Sequence, residues 1–290
     1  MTDPTRFGLP PFAAILPDGR RRHFQHGPID LVIEAFGPAD EVEAAYAQAW
    51  QRFQSVLGEL VGELPLLRRP LGARHPALEG PVARRMLAAC RPHRGSYVTP
   101  MAAVAGAVAD AVLAAMTQGR RLDRAYVNNG GDIALHLAPG ESFTTGIVTL
   151  GELPVLDGLS GIAAADPVRG IATSGWRGRS FSLGIADSVT VLAPSAAEAD
   201  VAATLIANAV DVEDPAIDRA PATDLDPDSD LGGQGVTTAV GPLAPDKVAR
   251  ALEAGAALAE ELRHRGLIAG ALLTLQGRSR ILVRNASLAA

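Results

Sequence analysis

The chain has 290 residues, 48% of them hydrophobic and 20% charged, enough for one large domain, or two closely joined lobes, with a real core. Its net charge of -6 argues against a general nucleic-acid binder, which needs a basic face. Cys90 is the single cysteine, which excludes disulfides within the chain and thiolate metal clusters.

In chain order, M-T-D-P-T-R-F-G-L-P-P-F has no basic start leading into an apolar run and no lipid-attachment cysteine, so a cytoplasmic protein is expected. R-R-H-F-Q-H and I-D-L-V-I-E-A-F flank Gly27-Pro28 and read as strand, turn and strand. A long amphipathic helix is predicted from Pro38 to about Leu64, with Asp40 and Glu41 near its dipole-positive end, and a shorter one around Val82 to Cys90. Thr99-Pro100 is an N-cap followed by proline at the first helical position. The helix it opens, Pro100 to Met116, is the most membrane-like stretch, but it is short, Ala-rich and carries Asp110, so a buried helix and no membrane partner are expected.

Short strands with glycine turns are predicted between Arg124 and Leu153, with A-Y-V-N-N-G-G-D-I-A-L-H-L as a hairpin, and a strand-rich block from about Gly161 to Leu192. Ser195 and Glu198 form a capping box, so a helix begins at about Ala196 and Asp200 lies more than a turn inside it. Asp211 to Gly235 is polar, acidic and Pro-rich and reads as a loop or lobe connection. A helix from about Pro245 to Arg265 precedes a closing hairpin, L-I-A-G-A-L-L-T-L and R-I-L-V-R-N. Strands and helices come in blocks, without regular alternation, which predicts an α+β fold of mixed, largely antiparallel sheets packed with helices. The expected organisation is a single domain over 1–290, or two closely packed lobes joined near 211–235.

Asp200 and Thr204 stand one helical turn apart and share a face. Two readings stay open: hard oxygen ligands for Mg²⁺, or an exposed Asp beside a Thr bonded back to its own helix. G-I-A-T-S-G-W-R-G-R-S, Gly170 to Ser180, gathers backbone donors, Thr173, Ser174, Arg177 and Arg179 and reads as a loop for a phosphate or sugar, or as a plain turn. N-N-G-G-D, Asn128 to Asp132, admits close backbone approach of a ligand or simple turn chemistry. Arg91, His93 and Arg94 precede a helix start that could hold an anion, or are a solvated basic loop. The acidic run Asp224 to Gly233 lacks the glycine and closing glutamate of a calcium loop, and His23 and His26 have no further zinc ligand nearby.

Four pieces in order, P-M-A-A-V-A-G-A-V-A-D-A, N-N-G-G-D-I, G-I-A-T-S-G and D-S-V-T-V-L-A-P-S-A-A-E-A-D-V-A-A-T, resemble the ApbE superfamily, the FAD:protein FMN transferases, and most closely its cytoplasmic ApbE-like branch. The resemblance spans about Thr99 to Val210. It implies an ApbE-like α/β roll, FAD and Mg²⁺ as ligands, and metal ligation by Asp200, Thr204 and the backbone carbonyl of Ala105. It also implies a cofactor-binding set of Ala172, Thr173, Ser174, Gly175, Asn129, Gly130, Gly131, Asp132, Thr99 and Met101. The implied reaction is FMN transfer from FAD to a Thr or Ser of an acceptor flavoprotein, or hydrolysis of FAD to FMN and AMP. The alternative is a non-catalytic flavin-nucleotide module serving a redox enzyme. Family transferases carry a lysine in I-A-K-G, where this chain has A-V-A-G ending at Gly106. Their H-x-x-D-P-x-T-G stretch is replaced here by G-R-S-F-S-L-G-I-A-D-S, in which Asp187 is a carboxylate in a different setting. Apolar helices leave homo-oligomer formation open.

Overall fold

The computed structural model describes residues 9–72, 76–149, 155–283 and 288–289. The expected strand residues 150–153, the last two residues of R-I-L-V-R-N and the N-terminal residues 1–8 lie outside them. The chain divides into two compact units. The first runs to Ser142 and takes in Ala163–Ala165 and Ser195–Ala197; the second holds Phe143–Ile162, Asp166–Pro194 and everything from Glu198.

In the first unit, β1 (Phe12–Ile15), β2 (Arg22–His26) and β3 (Ile29–Phe36) precede three helices, α1 (Ala39–Leu67), α2 (Pro81–Cys90) and α3 (Val104–Thr117), and then β4 (Arg124–Asn129) and β5 (Asp132–Leu137). The strands lie in the order β1-β2-β3-β4-β5, each antiparallel to its neighbour. Alternation puts Leu31, Ile33, Ala35, Ala125 and Val127 in the core. α1 buries Ala45, Ala49, Phe53, Val56 and Leu60, a helical stripe, and packs with α3. It continues past the expected end, carrying Pro65 inside its last turn. The short β1 was not anticipated. Pro100–Thr117 has the length and hydropathy of a membrane span, and half of it is buried within the structure.

The second unit contains most of β6 (Ser142–Thr149) and β7 (Val155–Ala163), then β8 (Gly170–Ser174), β9 (Ser188–Ala193), all but the first two residues of α4 (Ala196–Ala209), β10 (Ile217–Pro221), the single turn α5 (Ala222–Leu225), β11 (Gly235–Val240), α6 (Pro245–His264), β12 (Gly270–Leu275), β13 (Arg278–Val283) and β14 (Leu288–Ala289). β8, β9, β12 and β13 are successive antiparallel neighbours, and β14-β7-β6 form a separate small sheet. The core joins Ile185, Val189 and Val191 to Ala203 and Ile206 of α4, Leu252 and Leu262 of α6, and Leu273. The architecture is α+β with largely antiparallel sheets, as the block order of the sequence predicts.

Two expectations are corrected. Asp211 to Gly235 is not loop throughout: within it Ile217–Pro221 form β10 and Ala222–Leu225 the single turn α5, and β10 pairs antiparallel with β11 from Ile217↔Val240 to Pro221↔Gly235. Gly170 to Ser174 is a strand rather than a loop, because its backbone is taken up by pairing with β9.

Candidate functional site

α4 is an Ala-rich helix that carries isolated polar residues. Its buried positions run almost all round, including Ala199, Val201, Ala202, Ala203, Leu205, Ile206 and Ala207. Asp200, Thr204 and Asn208 are half-buried and fall at i, i+4 and i+8, a narrow polar stripe on a helix of which only Glu198 and Ala209 are otherwise half-buried. Asn208 was not singled out from sequence, although continuing the one-turn spacing from Thr204 reaches it. Its Oδ1 accepts hydrogen bonds from the Leu183 amide at 2.9 Å and the Ser182 hydroxyl at 3.2 Å. Gly184 then passes so close to the end of the helix that a Cβ there would sit 2.1 Å from the Ala207 carbonyl oxygen. Ile185 donates to the Val210 carbonyl, and the Thr237 hydroxyl donates to the Gly184 carbonyl at 2.9 Å. The interval that replaces H-x-x-D-P-x-T-G is therefore pinned to the stripe that carries Asp200 and Thr204.

The other end of that interval is equally fixed. Ala172 is in the core, and Thr173 shares a 2.9 Å hydrogen bond with Thr190 on β9. Ser174 closes β8 opposite Val189. Gly175 has no room for a side chain, since a Cβ would meet the Asp187 carbonyl oxygen at 2.4 Å. Asp187 accepts from the Trp176 indole at 3.3 Å and the Gln276 amide at 2.6 Å, and lies 3.5 Å from the Arg177 guanidinium, which stacks over the Trp176 ring. Its carboxylate is thus engaged in holding the hairpin base. Between the two anchors, Arg177 to Phe181 form an exposed tip.

The remaining candidates belong to the first unit. Thr99 caps the helical segment as expected, accepting from the Met101 amide at 3.2 Å, and Pro100–Ala103 form a 3-10 turn before α3. N-N-G-G-D is the hairpin turn between β4 and β5: Gly130 and Gly131 have φ of 66° and 117°, Asn128 accepts from the Gly131 amide, and Asn129 faces Asp132 in register. Asn129, 8% exposed, also donates its side-chain amide to the Ala105 carbonyl at 3.0 Å, so the backbone oxygen assigned to the metal has a fixed place within its unit. His93 is buried, whereas Arg91 and Arg94 are exposed.

Asp200 and Thr204 thus share one stripe of the second unit, and Ala105 with Asn129 to Asp132 and Thr99 belong to the first. A carboxylate and a hydroxyl one turn apart are hard oxygen donors of the kind Mg²⁺ takes, so the donor chemistry fits. Among the described residues no three His, Cys, Asp or Glu cluster in a metal-holding group, and a donor set with a single carboxylate would not form one. The 320 Å³ surface cleft lined by Arg22, Tyr46 and Trp50 contains none of the candidates.

The chain is 36% identical over 166 residues to the UPF0280 protein of Methanothermobacter thermautotrophicus, covering 55% of this chain and 62% of that one. It is 38% identical over 131 residues to the UPF0280 protein of Methanothrix thermoacetophila, covering 45% and 52%. The matches therefore span between about half and three fifths of these relatives' length. Among solved structures it is similar to a mutant of the flavin transferase ApbE from Vibrio cholerae, with 13% identity, a TM-score of 0.48 and coverage of 96% and 98% of the two chains. A second likeness is to the ApbE protein of Thermotoga maritima, with 13% identity, a TM-score of 0.36 and coverage of 86% and 77%. Neither structural likeness is close enough to bear on activity. The profile of the family described as AbpE bacteria matches residues 13–281, nearly the whole chain, and the chain belongs to that family, within the ApbE-like superfamily that its motifs resemble.

Proposed function

We propose that the protein binds a flavin nucleotide and splits FAD in a Mg²⁺-dependent reaction, passing FMN to a Thr or Ser hydroxyl of an acceptor flavoprotein or to water. The observation that carries this reading is the polar stripe on α4: two oxygen side chains one turn apart on a helix whose other positions are nearly all buried. Asp200 and Thr204 would hold the metal. When bound, the metal supplies positive charge against the developing negative charge on the phosphates. The acceptor oxygen attacks the FMN phosphorus, the bond to the AMP oxygen breaks, AMP leaves, and the acceptor's proton passes to solvent. Such chemistry is mostly positioning and electrostatics, which suits a site with few ionisable groups.

A non-catalytic flavin module is the second reading. It is favoured by one observation: Asp187, the carboxylate in the interval that replaces H-x-x-D-P-x-T-G, is spent on Trp176, Arg177 and Gln276. The test is to incubate the protein with FAD and Mg²⁺, with and without candidate acceptor proteins, and to quantify AMP. Turnover is expected to fall at least about 100-fold in Asp200→Ala and Thr204→Ala while both remain folded. Tight FAD binding without AMP under every condition selects the module, and no binding of FAD, FMN or ADP by calorimetry refutes both readings.

A further inference from the structure

Asp110 is the one charged residue of α3, and its side chain is 9% exposed. A carboxylate so placed is costly to bury unless its oxygens are met by donors. Its donors come from 86 residues away in sequence: Oδ1 accepts from the Ala196 amide at 3.1 Å and Oδ2 from the Ala197 amide at 3.0 Å, the first two residues of α4. Arg85 of α2 lies 4.0 Å from Oδ2. One turn earlier on the same face of α3, Gly106 abuts this helix start so closely that a Cβ would sit 2.2 Å from the Ala196 carbonyl oxygen. The negative charge also complements the positive end of the α4 dipole.

We propose that Asp110 is a positioning residue for the candidate metal ligands. By holding the amides of Ala196 and Ala197 it fixes the first turn of the helix that carries Asp200 and Thr204. Asp200 is one turn beyond Ala196 on the same helix, so a frayed first turn reaches it directly. The inference rests on the reading that Asp200 and Thr204 hold the metal.

The structure supplies a control. Glu63 of α1 holds the turn that enters α2, accepting from the Glu79 and Gly80 amides at 2.7 Å each, just before the first helical residue Pro81, and α2 carries no candidate ligand. The experiment measures the affinity of the full chain for Mn²⁺ alone by calorimetry, alongside thermal melts, in Asp110→Ala, Asp110→Asn, Glu63→Ala and Asp200→Ala. Asp110→Ala is expected to bind Mn²⁺ about 10-fold more weakly and Asp110→Asn, which keeps one acceptor, about 3-fold more weakly. Glu63→Ala should melt earlier yet bind as the wild type does. Wild-type affinity in Asp110→Asn, or in folded Asp110→Ala, overturns the proposal even where melting temperatures fall. Wild-type affinity in Asp200→Ala instead refutes the metal reading itself.

Discussion

Replacing Gly106 by Ala tests the docking of α4's start on α3 by steric means. In an exposed helix interior this substitution is favourable by about 1 kcal/mol, because alanine loses less backbone entropy on folding. At Gly106 the added methyl would lie 2.2 Å from the Ala196 carbonyl oxygen, 2.4 Å from its carbon and 2.7 Å from the Ala197 nitrogen. All three are backbone atoms, so no side chain can swing aside, and the helices must separate. Overpacking of this kind costs about 1–3 kcal/mol, and the separation also stretches the two Asp110 hydrogen bonds, worth about 1.5–3 kcal/mol as bonds to a charged group. Offset by the helix-propensity gain, the expected net loss is about 2 kcal/mol. Gly58 and Gly62 on α1 are the controls: both are exposed, and a methyl added at either would meet nothing within 4 Å, so Gly58→Ala and Gly62→Ala should each stabilise by about 0.5–1 kcal/mol. Urea unfolding followed by circular dichroism and tryptophan fluorescence, with linear extrapolation, reads all three. Stability in Gly106→Ala equal to or above that of the wild type would refute the close approach.

Asn208→Ala should cost about 1–3 kcal/mol by stranding the Leu183 amide and the Ser182 hydroxyl, and limited proteolysis should cut faster within Arg177–Phe181; an unchanged cutting rate refutes the anchoring role. Burial holds His26 below its ordinary value of 6.5, and its Nδ1 is buried without a hydrogen-bond partner. The unfolded ring therefore takes up a proton at higher pH than the folded one, so stability should decline as pH falls through 6.5 and level off once the folded ring is protonated too. His26→Phe should flatten that step between about pH 7.5 and 5.5, and a wild-type profile already flat there refutes it. Glu59, held low mainly by its hydrogen bond to Arg52, and Glu41, held low mainly by Arg121, lose their contributions only as pH falls below their ordinary 4.5, so the two windows separate.

How far the sequence could be read depended on how local each decision is. The hairpin at Gly130 and Gly131 was legible because positive φ is a property of two adjacent glycines. α6 and the capped segment opening at Thr99 were legible because proline at a helix start and a one-face apolar pattern act within a few residues. Asp200 and Thr204 could be placed on one face of α4 because helical spacing alone dictates it. The strand Ile217–Pro221 was missed inside the loop expected over Asp211 to Gly235, because the prolines and aspartates there resemble a loop, while its pairing with β11 depends on a partner strand elsewhere in the chain.

By itself, then, the sequence determined the α+β class, most helix and hairpin positions and the shared face of the candidate ligands, all of which follow from short-range sterics, capping and periodicity. Only the tertiary structure decided what Asp110, Asn129 and Asn208 do. Asp110 looked like a reason to doubt a membrane span and is the cap of a helix 86 residues away. Asn129 looked like turn chemistry and also holds the Ala105 carbonyl. A buried polar group takes whichever donor or acceptor folding brings within about 3 Å, and no spacing along the chain encodes that partner.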